Sequence, residues 1–153
     1  MKKINYSVIA LMLGIVLCVT GCKHDTSEPP YADYFGVWKN TGGQPQTVTL
    51  TANELIFQSN QSTFSYTMRN LTWTPLTNSN ASFYTIYPTG YKITGKLTAV
   101  SGSGPKKASD ESTPAVINDI AVDWWYISTD KSKLCWGSWT DTHGGLKGDF
   151  NKQ

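Results

Sequence analysis

The chain has little charge, little cysteine and no long apolar run. Only 16% of its 153 residues are charged, 13 Lys and Arg against 11 Asp and Glu. An acidic disordered tail or a basic nucleic-acid module needs a large excess of one sign, so both are excluded. The three cysteines, Cys18, Cys22 and Cys135, are too few for a disulfide framework. The longest apolar stretch, Val8 to Val19, falls short of the roughly 20 residues that a spanning helix requires. Long runs of helix formers are also missing. Aromatic residues, by contrast, are plentiful, with six Trp and eight Tyr.

Chemistry-bearing motifs are equally sparse. Gly90 to Lys96 nearly spells a phosphate-binding loop, but Leu97 stands where a magnesium-binding Ser or Thr belongs, and the stretch reads as a strand. No Gly-x-Ser-x-Gly occurs. Cys135 falls within an aromatic strand and His143 within a Gly-rich turn, which suits a buried apolar thiol better than a nucleophile with its base. His24 has no ligand partner at metal spacing. Asp123, Asp130 and Asp141 are spread around turns and are expected to be solvated or turn-forming rather than an acid/base pair. The expectation is a non-enzyme with no metal, no cofactor and no nucleic-acid partner.

The N-terminus carries the sharpest pattern. Lys2 and Lys3 precede an apolar core, Val8 to Leu17, of signal-peptide length. Val19-Thr20-Gly21-Cys22 follows and resembles the lipobox of bacterial lipoproteins. That resemblance implies a signal peptide over residues 1–21, a Cys22 thiol that takes a lipid, and anchorage in the cell envelope. Lys23, where Asp would favour inner-membrane retention, implies the outer membrane. Without Lys2 and Lys3 the charges balance at 11 of each sign, so electrostatic capture of anionic polymers is disfavoured. Residues 22–33, polar and holding Pro29-Pro30, read as the acylated Cys and a flexible tether.

Residues 34–153 read as one all-β domain. Apolar residues alternate with period two, and turn residues recur every 8 to 12 positions. Strands are expected at Tyr34 to Lys39, Thr47 to Thr51, Leu55 to Gln58, Phe83 to Tyr87 and Tyr91 to Val100. Phe64, Tyr66 and Met68 sit on even positions, Leu71 and Trp73 on odd ones, so a bulge or bend is required near Arg69-Asn70. Tyr91, Ile93, Leu97 and Ala99 are expected on one face, with a kink at Gly95. Ser101 to Pro114 reads as a mobile polar loop, a plain excursion or a lid. Ala115 to Val122 fits a short helix or a strand.

The terminal segment is densest in aromatics. Val122 to Ile127 and Leu134 to Trp139 form a predicted hairpin in which paired positions sum to 261. Trp125, Ile127, Leu134 and Trp136 then share a large apolar face, assigned to the interior. Trp124, Tyr126, Cys135 and Gly137 share the outer face. Trp124 is expected to be exposed unless the 101–114 loop or a partner covers it, and Cys135 to be reactive. Leu146 to Phe150 closes the sheet. Eight to ten short strands suit a small antiparallel β-barrel.

Gly36-Val37-Trp38 on the first strand resembles the Gly-X-Trp signature of lipocalins and their calycin relatives. Asp123-Trp124 is similar to the Thr-Asp-Tyr turn before a late lipocalin strand, with Val122 in place of Thr. The family's Arg over the Trp has no match: Arg69 lies mid-chain, and Lys133 is a poor substitute. The resemblance implies a lipocalin-like barrel in which Gly36 permits close approach, Trp38 plugs the closed end, and the interior takes a small apolar or amphipathic ligand. The alternative is a surface or periplasmic interaction protein that contacts a macromolecular partner through exposed loops and aromatics.

Overall fold

The computed structural model describes residues 27–40, 45–59, 64–76, 87–102, 104–137 and 147–153. The leader, Cys22, the strand expected from Phe83, Asp141 and His143 lie outside the described residues, Tyr87 excepted. A 3-10 turn, Ala32–Tyr34, precedes β1 (Gly36–Asn40), β2 (Gln46–Leu50), β3 (Glu54–Ser59), β4 (Ser65–Pro75) and β5 (Thr89–Ser101). Then come β6 (Lys106–Lys107), β7 (Asp110–Pro114), β8 (Ile120–Ile127), β9 (Lys133–Trp136) and β10 (Lys147–Lys152). β1 to β5 run as an antiparallel meander, β5 pairs with β8, β8 to β10 continue it, and β10 returns to β1. The result is a closed, eight-stranded, all-antiparallel barrel of lipocalin-like form. Closure leaves none of these eight strands as a bare edge.

Alternation dictates which side chains fill it. Trp38, Val48, Leu50, Leu55, Phe57, Tyr66, Met68, Ile93, Leu97, Trp125, Leu134 and Phe150 point inward and are at most 2% exposed. In a barrel of eight strands the interior is just wide enough for such side chains to fill. Phe57 lies at ring contact with Tyr66, Trp125, Trp136 and Phe150.

Two bulges adjust the alternation. In β4 the register shifts between Arg69 and Thr72, and Asn70 takes φ 56°, so Leu71 and Trp73 rejoin the interior on the opposite parity. β5 passes so close there that a Cβ on Gly95 would stand 2.7 Å from Leu71 Cδ2 and 2.9 Å from the Arg69 carbonyl. Gly95 therefore serves close approach rather than a kink. In β5 Thr67 faces Ala99 while Met68 faces Leu97, leaving Thr98 extra. Ala99 is thereby exposed, contrary to the period-two expectation, and Val100 packs on the core.

Three other expectations need correction. Residues 101–114 are not simply a mobile loop: β6 and β7 form a hairpin, and β6 pairs with β8 through Lys106–Val122 and Lys107–Ala121. Residues 115–119 are a turn, and the helical stripe fails because β8 begins at Ile120. There Val116, Ile117 and Ile120 are exposed while Ala121 is buried. The folded unit also starts before residue 34, since Tyr31 stacks on Trp73 with centroids 4.7 Å apart.

β8 is buried on both faces. Its inward residues, Ala121, Asp123, Trp125 and Ile127, join the barrel core. Its outward residues, Val122, Trp124 and Tyr126, lie with Cys135 and Tyr87 in a second apolar layer. Leu76 and Ala108 pack against that layer.

Candidate functional site

One barrel end is closed by the chain's own entry. Tyr31, Tyr34, Trp73 and Tyr91 meet edge-on or stacked across it. The Tyr34 hydroxyl donates to the Thr89 carbonyl at 2.8 Å. Trp38 Nε1 donates to the Tyr34 carbonyl at 2.9 Å, tying β1 to the turn before it. Gly36 has φ 133°, and a Cβ there would stand 3.3 Å from Lys152 Cε. That space lets the Lys152 stem cross, and its Nζ lies 5.2 Å from the Trp38 ring centroid. A cation over an indole face is an attractive contact. The sequence offers no Arg for this place, and Lys152 fills it. Its parity with the inward-facing Phe150, two residues earlier, was the available signal.

Toward the other end the interior turns polar at one point. Trp125 pairs with Trp136, Tyr126 with Cys135 and Ile127 with Leu134, the register in which positions sum to 261. Trp125 is fully buried and Trp136 half-buried. Asp123, one residue pair further along β8 from Trp125, is 2% exposed. Its Oδ1 accepts from the Trp124 backbone N–H at 3.1 Å and from Trp136 Nε1. Its Oδ2 accepts from Trp125 Nε1 at 3.0 Å and from the Tyr66 hydroxyl. Burial pushes the carboxyl up to about 6, against the lowering effect of these four donors. Burial, followed by the adjacent carboxylate, raises the Tyr66 phenol well above its ordinary value, so it stays a donor.

Asp123 is thus neither solvated nor in a turn, which corrects the sequence expectation and the likeness to the Thr-Asp-Tyr turn. Its position two residues before Trp125 placed it on the inward face. Only the missing partner, Tyr66, 57 residues earlier, was hidden from the sequence. Asp130 does lie in the β8–β9 turn, where Ser128 and Ser132 hydrogen bonds hold it down to about 2. Around Asp123 the rings are contiguous. Phe57 lies 6.3 Å from Trp136, 5.3 Å from Tyr66 and 5.2 Å from Phe64. Phe64, like Trp136, is half-buried.

Trp124 faces outward but is buried at 5% exposure, so it is no exposed aromatic. The second layer covers it. Tyr87, whose hydroxyl donates to Asp149, belongs to that layer, and so does Ala108 of the β6–β7 hairpin. Cys135 is buried in the same layer, and burial pushes its thiol up to about 12. That state is unreactive, contrary to the expected outer-face reactivity. Among the described residues no group of three or more His, Cys, Asp or Glu could hold a metal ion. No protein-family model, curated protein or solved structure matches the chain.

Proposed function

We propose that the protein is a lipid-anchored bacterial envelope protein whose barrel binds a small apolar or amphipathic ligand and performs no catalysis. Acylated Cys22 holds it to the membrane, the outer membrane on the strength of Lys23. The observation that carries the binding reading is the half-buried pair Phe64 and Trp136 beside the Asp123–Tyr66 cluster. Apolar faces with a few buried polar groups are the usual make-up of a small-molecule site. The plug of Tyr31, Tyr34 and Trp73 and the self-filled core confine the ligand to the end where Phe64 and Trp136 lie. Mass spectrometry of the gently extracted protein tests this. A co-purifying small molecule that is lost in Trp136→Ala supports the reading. An apo protein whose tryptophan emission is indifferent to apolar and amphipathic probes overturns it.

A second reading, a macromolecular interaction protein, is favoured by a different feature. Val116, Ile117 and Ile120 are 64%, 52% and 54% exposed. Their turn is rigidly held: Asn118 N–H donates to the Leu97 carbonyl, and Asp119 accepts from Val116 N–H while pairing with Lys107. An apolar cluster presented this way suits a partner contact. Loss of a specific envelope partner in Ile117→Asp, with ligand binding intact, would favour it over the first.

A further inference from the structure

We propose that the exposed turn over residues 116–120 is a second membrane contact, which sets its aliphatic side chains into the headgroup layer of the bilayer that holds the Cys22 lipid; this rests on the lipid-anchored reading above. Val116, Ile117 and Ile120 are three of the four exposed large apolar side chains among the described residues. The fold gives them no way inward. Ala115 and Ala121, on either side, are the residues that enter the core. Asn118 N–H donates to the Leu97 carbonyl at 2.8 Å, and Leu97 N–H donates to the Asp119 carbonyl at 2.9 Å. Val116 N–H donates to Asp119 Oδ2 at 3.1 Å. Asn118 takes φ 78° to close the turn, a conformation that asparagine tolerates better than most residues. The aliphatic tip is therefore held out in water.

A bilayer suits this tip better than a protein does. Three partly exposed aliphatic side chains offer about 300 Å², against roughly 800 Å² per partner in a stable protein–protein interface. A bilayer sets no such minimum, because the lipid on Cys22 already holds it beside the turn. The second contact is then intramolecular, and even a weak one is populated. Interfacial elements combine apolar side chains at headgroup depth with Lys or Arg beside them. Lys96 lies opposite Ile120 in register and is exposed. Among the described residues no carboxylate pairs with it. Asp119, the one carboxylate of the turn, is matched by Lys107 at 3.2 Å. Arg69, opposite Lys96 on its other side, is matched by Glu54 at 2.8 Å. One positive charge thus stays unmatched at the rim, where lipid phosphate lies. The tether reaches far enough. At the plugged end the Tyr34 hydroxyl bonds the Thr89 carbonyl, and the turn bonds Leu97, eight residues along β5 and about 26 Å away. Cys22 precedes Pro29, whose carbonyl takes the Ala32 N–H, by seven residues, a reach of about 25 Å when extended. Lipid and turn can therefore share one bilayer, with the barrel on its side or tilted onto the turn.

The test uses the full chain on vesicles of phosphatidylethanolamine and phosphatidylglycerol, with the mass of the intact protein reporting acylation. A polarity-sensitive dye is attached to the Ile117→Cys variant or to the Val37→Cys variant. Val37 is exposed on β1, three strands round the barrel from β8. Cys135 is buried and does not compete for the dye. With brominated lipids in the vesicles, the dye at 117 is expected to shift to the blue and to be quenched several-fold more than the dye at 37. Lys96→Glu, or Val116→Asp with Ile120→Asp, should bring quenching at 117 down toward that at 37. Neither change should free the protein from the vesicles, since the lipid still holds it. Equal quenching at the two sites on vesicle-bound, acylated protein overturns the docking and leaves the anchor standing. A dye at 117 that stays in water on vesicles but is shielded in whole cells overturns it in favour of a protein partner. A mass without acyl chains removes the anchor, and the inference falls with it.

Discussion

Lowering the pH from about 7.5 to about 5 should stabilise this protein, because Asp123 is ionised at a cost. Inside the barrel its carboxyl titrates at about 6, against 3.8 for an exposed aspartate. At 1.36 kcal/mol per tenfold change, that gap amounts to about 3 kcal/mol. The folded carboxyl holds its proton more tightly than the unfolded one. The folded state therefore binds more protons between pH 4 and 6, and stability rises as pH falls through that window. The penalty is in full force above about pH 7 and is gone below about pH 4. Roughly 1.4 kcal/mol of it is recovered by pH 5. Going lower would confuse the result, because Asp110 and Asp130, held down to about 2, lose their folded-state advantage below about pH 4. Urea unfolding of the wild type and of Asp123→Asn at the two pH values measures the effect. Wild type minus variant removes the contribution of every other group. A difference that is flat, or that shows the wild type losing stability relative to the variant on acidification, would refute the account of Asp123 as a carboxylate whose burial outweighs its four hydrogen bonds.

The remaining predictions follow from packing and the anchor. Trp38→Ala, which removes a fully buried indole and its bond to Tyr34, should cost about 3–5 kcal/mol in denaturant unfolding; a loss below about 1 kcal/mol would mean the ring does not seal the barrel end. Cys135 should resist a thiol reagent in the native protein and react only on unfolding, so native labelling at the rate of a free thiol would show the outer layer to be open. Trp124→Asp and Trp125→Asp should both prevent folding, since both faces of β8 are covered; a folded Trp124→Asp, judged by circular dichroism, would contradict that cover. Cys22→Ser should release the protein from membranes or leave an unprocessed precursor, and membrane fractionation at mature size would disprove the lipid anchor.

Local alternation was enough to read the inner face of this barrel from the sequence. Trp125, Ile127, Leu134 and Trp136 follow from a period of two and the length of the Thr129 to Ser132 turn. The parity change between Met68 and Leu71 demanded the bulge that Asn70 makes. Both depend on residues near each other in the chain. What tertiary structure alone decided is what covers a strand and what a buried polar atom meets. Trp124 and Cys135 are hidden because Tyr87, Leu76 and Ala108, from segments far away in sequence, lie over the outside of β8. Asp123 becomes a buried carboxylate because β5, paired with β4 on one side and β8 on the other, brings Tyr66 of β4 to it. Lys152 reaches Trp38 only because β10 returns to pair with β1, 119 residues after Asp33, whose carbonyl the same ammonium meets. Period fixes which way a side chain points, within a few residues. Its environment is set by long-range pairing, which no local pattern encodes.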